Sequence, residues 1–161
     1  MTTQYSTEYA AEFQAPSIQN IAISVLKKET MHFTFTQSTA GAAGSTATLR
    51  RLPAGVVYFY PFESRIRWTA LGSSRTMDIG YAAHTTIALA TVALSVNAFD
   101  DAVDVSSAGG AAMGSDFGTG GNGGEAYKFE TLDGVDIYAT IDVDTFPDAD
   151  TLIGYLTIAR P

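Results

Sequence analysis

Apolar residues in this chain recur at every second position in one segment after another, and only an extended strand can bury such a spacing on one side. In "ETMHFTFTQ", Met31, Phe33 and Phe35 alternate with His32, Thr34 and Thr36. "SRIRWTAL" sets Ile66 and Trp68 against Arg65, Arg67 and Thr69, and "RTMDIGYA" sets Met77, Ile79 and Tyr81 against Thr76, Asp78 and Gly80. In "VDIYATIDV", Val135, Ile137, Ala139, Ile141 and Val143 face one way, and Asp136, Tyr138, Thr140 and Asp142 the other. The last run, "TLIGYLTIA", puts Leu152, Leu156 and Ile158 on one side. Turn chemistry separates these runs at short intervals, in "TAGAAGST", "LPAG", "LGSS", "LDG" and "FPDAD". Many short strands with frequent turns predict an all-β chain, an antiparallel β-sandwich of jelly-roll-like form.

Two regions break the alternation. Residues 84–105, "HTTIALATVALSVNAFDDAVDV", read as a helix, an extended excursion, or a strand followed by a short helix. The expectation is one short helical turn near Asn97 to Val103, with Asp100, Asp101 and Asp104 favouring its N-terminal dipole. Residues 106–124, "SSAGGAAMGSDFGTGGNGG", form a loop or flap of low complexity. Ahead of the strands, residues 1–20 are polar, with Tyr5, Tyr9 and Phe13 at four-residue spacing before Pro16. They read as an N-terminal arm whose aromatics need a covering surface, or else as a solvated chain end. The expected organisation is that arm (1–20) followed by a single β-sandwich domain (21–161).

Composition narrows the function. With no cysteine, disulfides, thiolate catalysis and Cys-based zinc sites are excluded. The apolar run from Ile87 to Val96 is too short and too rich in Thr and Ser to span a membrane, and no secretion signal opens the chain. Net charge is −8, and residues 81–161 carry two Lys/Arg against twelve Asp/Glu. That acidic half repels phosphate backbones, so nucleic-acid binding is not expected. Arg50-Arg51 and Arg65-x-Arg67 either meet an acidic protein partner or are solvated strand positions.

"FGTGGNGG" contains Gly118-x-Gly120-x-x-Gly123, the glycine spacing of a dinucleotide-binding loop. That loop works only between a strand and a helix whose N-terminus holds the pyrophosphate. Here "EAYKFE" follows and reads as a strand, so no nucleotide cofactor is expected. His32 and His84 are the only histidines, no G-x-S-x-G elbow is present, and no catalytic residue is assigned. Asp142, Asp144, Asp148 and Asp150 have the carboxylate density that Ca²⁺ takes, but without EF-hand spacing. The alternative is a strand face with a turn at Pro147-Asp148, and no metal is assigned. In "VVYFYPF", Tyr58, Phe59, Tyr60 and Phe62 would serve as a sugar platform or as a strand aromatic on both faces. The second reading is favoured, one face packing the core and the other, with Tyr58 and Tyr60, contacting a partner.

From Leu52 to Tyr81 the chain resembles small virion structural proteins of tailed bacteriophages. The matching residues are Leu52-Pro53-Ala54-Gly55, Ala70-Leu71-Gly72, Ser74 and Asp78-Ile79-Gly80-Tyr81, with Met77 where that group has leucine. "NAFDDAVDVSSAG" (97–109), "YKF" (127–129) and a final strand containing Gly154 extend the resemblance over residues 20–161. "TTIALATVALSVNAF" departs from the group's shorter insertion. The resemblance implies a non-enzymatic β-sandwich on the capsid surface, made in the host cytoplasm. Its implied role is that of a decoration or cement protein bound to the major capsid protein, as a homo-oligomer and most simply a trimer. Its interface residues would be Tyr5, Tyr9, Phe13, Tyr58 and Tyr60. The rival readings are a tail or head–tail junction protein, and a glycan-binding adhesin module with calcium near Asp142–Asp150.

Overall fold

In the computed structural model, which describes residues 27–37, 46–114, 126–141 and 146–161, the alternating segments are strands. In chain order they are β1 (Lys27–Thr36), β2 (Thr46–Leu52), β3 (Gly55–Phe59), β4 (Arg65–Trp68), β5 (Thr76–Tyr81), β6 (His84–Thr85) and β7 (Thr91–Val92). There follow β8 (Ser95–Asp104), β9 (Gly109–Ala112), β10 (Tyr127–Thr131), β11 (Val135–Ile141) and β12 (Thr151–Arg160). Among the described residues no helix is long and apolar enough to cross a membrane.

Two antiparallel sheets carry the core. In the first, β12 runs between β1 on one side and β4 and β3, end to end, on the other; β9 flanks β4 and β10 flanks β3. The second has the order β2-β11-β5-β8. Counting β3–β4 and β9–β10 as one broken strand each and leaving out the β6–β7 hairpin, eight strand positions pass between the sheets in jelly-roll fashion, with only β5 and β8 consecutive in one sheet. Between them lie the inward residues of each run, including Phe33, Ile66, Trp68, Ile137, Ile141, Leu152, Leu156 and Ile158. At one end, Phe59 and Phe129 of the first sheet meet Phe99 and Tyr81 of the second, with Phe59 and Phe99 centroids 4.8 Å apart. Buried aromatics in such edge-to-face contact supply much of the energy joining the layers.

The break between β3 and β4 has a local cause. Pro61 lacks an N–H for the ladder and opens a 3-10 turn over Pro61–Glu63. Ser64, fully buried, mends the gap. Its Oγ donates to the Tyr60 carbonyl at 2.8 Å and accepts from the Thr157 N–H at 2.9 Å, while Thr157 Oγ1 donates to the Glu63 carbonyl at 3.1 Å. "LPAG", "LGSS" and "LDG" fall between strands as expected, and Gly134 of the last has φ 92°, which favours glycine.

Three expectations are corrected. Asn97 to Val103 is not helical: it lies inside strand β8, so Asp100, Asp101 and Asp104 are strand residues rather than helix N-terminal acids. Met77 faces Val103 and Ile79 faces Asp100, which leaves one extra residue on β8, a bulge where Ala102 has φ 54°. The buried Asp78 Oδ1 accepts the Ala102 N–H at 2.8 Å and fixes that bulge. Second, β5 is covered on both faces. Gly80 lies so close to β8 that a Cβ would come 1.9 Å from the Ser95 carbonyl oxygen. Third, Gly109–Ala112, read as loop, is strand β9. "YKFET" is strand β10, as read; the glycines at 118, 120 and 123 lie outside the described residues.

Replacing Ser64 with alanine strands the buried Thr157 N–H and should cost about 1–3 kcal/mol in chemical denaturation. Gly80→Ala should cost about 3 kcal/mol or more by pushing β5 and β8 apart. A change within about 0.5 kcal/mol in either variant, the size of an ordinary surface substitution, contradicts its assigned role.

Candidate interaction surfaces

Outward positions of the first sheet form cross-strand rows. Lys28, Ala159, Tyr58 and Lys128 make one such row across β1, β12, β3 and β10. Tyr58 and Tyr60 are half-buried, while Val57 and Phe59 between and beside them are fully buried, so this segment is aromatic on its outer side and apolar on its inner side. Lys28 Nζ sits 4.1 Å from the Tyr60 ring centroid and pairs with Glu63 at 2.6 Å, so a cation covers that ring. Lys128 pairs with Glu130 beside Tyr58. Tyr5, Tyr9 and Phe13, the remaining expected interface residues, lie outside the described residues.

The expected cation site divides in the same way. Asp148 is exposed, and Asp150 Oδ1 accepts from Thr69 Oγ1 at 3.0 Å; Asp142 and Asp144 lie outside the described residues. Among the described residues no three His, Asp or Glu side chains gather into a ligand set. Both histidines lie against aromatic rings. His32, exposed on β1, meets Tyr155 edge-on at 5.9 Å, and His84 meets Tyr81 and Phe129 at 5.6 Å. Nearby, burial and a hydrogen bond to the Tyr81 hydroxyl push the Tyr127 phenol above its ordinary value.

The segment that sequence reading left open contains a surface feature. Strands β6 and β7 form a small hairpin that exposes Ile87 (49%) and Leu89 (74%), with Leu94 (57%) following. Val96 is exposed just after them in the chain, and Leu132 is exposed next to Thr85 in space. The hairpin is held in place: the Thr86 N–H donates to the Ala90 carbonyl, the Thr86 carbonyl accepts from the Leu89 N–H and its Oγ1 from the Ala90 N–H, and the Leu132 N–H donates to the Thr85 carbonyl. Leu89 adopts φ 63°, a left-handed conformation that costs a non-glycine residue about 1–2 kcal/mol. Apolar exposure on a strained, anchored turn makes this a candidate contact surface. The available signal was the lack of Lys, Arg, Asp and Glu from 82 to 99.

A second surface lies on β4. Arg65 and Arg67 project from its outer face, opposite Tyr155 and Ile153 of β12 on one side and Ala112 and Gly110 of β9 on the other. Together with Trp68 and Gly109 they line an open trough of about 640 Å³.

No protein-family model and no curated protein matches this chain. Its fold is similar to that of a chain in the cyanophage Pam1 capsid asymmetric unit, with a TM-score of 0.53 and 13% identity over 84% of this chain and 86% of that one. A chain of the Ralstonia phage GP4 capsid is similar with a TM-score of 0.56 and 15% identity, over 84% and 85% of the two chains. At such identities the likeness is one of fold, and it extends over most of each chain.

Proposed function

We propose that this chain is a non-enzymatic structural protein of a phage virion: a decoration or cement protein that binds a shell of major capsid protein as a homo-oligomer, taken as a trimer. The observation that carries this reading is the β6–β7 hairpin, which holds Ile87, Leu89 and Leu94 in solvent at the cost of a left-handed leucine. A protein with no partner gains nothing from that arrangement, whereas one that binds a repeated surface buries it at every copy. Fold likeness to chains of two phage capsids supports the same reading. Attachment to the shell stabilises both components by mass action. A glycan platform on Tyr58 and Tyr60 fits less well, because Lys28 already lies over the Tyr60 ring.

The test is co-sedimentation of the purified chain with empty shells of the major capsid protein from the same genome. The chain should travel with the shells and raise their melting temperature. Ile87→Ser, Leu89→Ser and Leu94→Ser together should weaken that association by about tenfold or more, a loss of about 1.4 kcal/mol or more. The chain's own melting midpoint should be kept, since these side chains are exposed. Absence from the shell fraction, or undiminished binding by the triple variant, contradicts the reading.

A further inference from the structure

Lys28, Arg51, Lys128 and Arg160 each pair with a carboxylate. Among the described residues Lys27, Arg50, Arg65 and Arg67 make no ion pair and no side-chain hydrogen bond, and Arg65 and Arg67 are the two of these that stand together on one face of one strand, in a protein with net charge −8. Their surroundings are shaped to leave that face open. A Cβ on Gly110 would lie 2.9 Å from Arg67 Cγ, so the arginine stem rests directly over Gly110. On the opposite face Trp68 rests over Gly109, with its indole N–H donating to the Ser107 carbonyl at 2.9 Å. Strand β9 carries nothing larger than a methyl group, and among the described residues it pairs only with β4. Its far edge is therefore a place for strand addition, bordered by two guanidinium groups.

We propose that this edge receives residues 1–26 of a second copy of the chain, added as a strand beside β9; the proposal rests on the homo-oligomer of the preceding section. Charge selects the segment. Residues 1–26 hold Glu8 and Glu12 and no Lys or Arg. In an extended strand Glu8, Ala10 and Glu12 share one face, and Tyr9, Ala11 and Phe13 the other. One orientation therefore sets both carboxylates on the Arg65/Arg67 face and the rings on the Trp68 face.

The geometry permits exchange between copies, and the homo-oligomer of the preceding section selects it over self-pairing. The segment leaves its own molecule at Lys27 on β1, on the far side of β12 from β4 and β9. Glu12 lies fifteen positions before Lys27, a reach of about 50 Å when extended, and a strand added beyond β9 is four strand spacings, about 19 Å, from β1 of the same sheet, so length is no obstacle. A donor at one edge and an acceptor at the opposite edge make a head-to-tail contact, the kind that closes into rings such as trimers.

The chain has no cysteine, which makes the test clean. Ala10→Cys and Ala112→Cys are made in separate full-length chains of distinguishable mass, mixed, and treated with a short bis-maleimide. The expected result is a mixed cross-link between the two variants. It should fall about tenfold or more when Arg65→Glu and Arg67→Glu are added to the Ala112→Cys chain, and return to within about twofold when Glu8→Arg and Glu12→Arg are added to its partner. Recovery through reversed charges shows that the altered arginine face still folds. Absence of the mixed cross-link, or its persistence at full strength after charge reversal, overturns the proposal; so does a cross-link formed only within one chain carrying both cysteines. Shell co-sedimentation of the same proteins separates the two readings: decoration without the cross-link refutes only the strand exchange, and the cross-link without decoration refutes only the virion role.

Discussion

Strand β12 cannot slip by a single residue. It is paired with β1 along ten positions and with β4 and β3 on its other side, so its pleat sets the facing of half the first sheet. A one-residue shift would send Leu152, Leu156 and Ile158 into solvent and turn Ile153 and Tyr155 into the core. The same register fixes what the molecule shows to others, because Ile153 and Tyr155 stand opposite Arg67 and Arg65. Core and outer surface are thus two readings of one alternation.

Departures from that regularity are each held by a specific bond or contact. Where Pro61 breaks the strand, the Ser64 hydroxyl takes the place of a missing backbone partner for Thr157. Where β8 carries an extra residue, the Asp78 carboxylate holds the left-handed Ala102. A polar residue buried in these places is stable because its hydrogen bonds are made. Leu89, also left-handed, has no such inward purpose: its side chain is the most exposed of the large apolar ones. The contrast separates strain that completes the fold from strain that presents a surface.

Much of the fold was legible in the residues because β4 alternates cleanly and the turns carry Gly, Pro and Asp at the required places. Strands β11 and β12 keep their buried large aliphatic residues at every second position, even though Tyr138, Thr157 and Ala159 between them are also buried. Strand β8 was not, since "NAFDDAVDV" pairs through a bulge whose stabilising partner, Asp78, lies in another strand. Local sequence holds no sign of that bond, and three acidic residues resemble a helix start. Likewise Ile87, Leu89 and Leu94 look like core residues until the sheets are seen to close without them. Arg65 and Arg67 were recognisable as outward-facing, but that no carboxylate among the described residues pairs with them depends on neighbours from β9 and β12, which only the folded arrangement supplies.

The alternation of this chain holds two sheets together on its inner side and sets Arg65, Arg67, Ile153 and Tyr155 on its outer side, where the proposed role needs neighbouring chains. Whether those neighbours form a capsid is decided most directly by imaging the intact particle by electron cryo-microscopy at a resolution that traces strands. The account predicts density for this sandwich on the outside of the shell, repeated with the shell's symmetry and with the β6–β7 hairpin at a protein contact. Particles whose shells carry no such density, or that hold the chain only in the tail, contradict it.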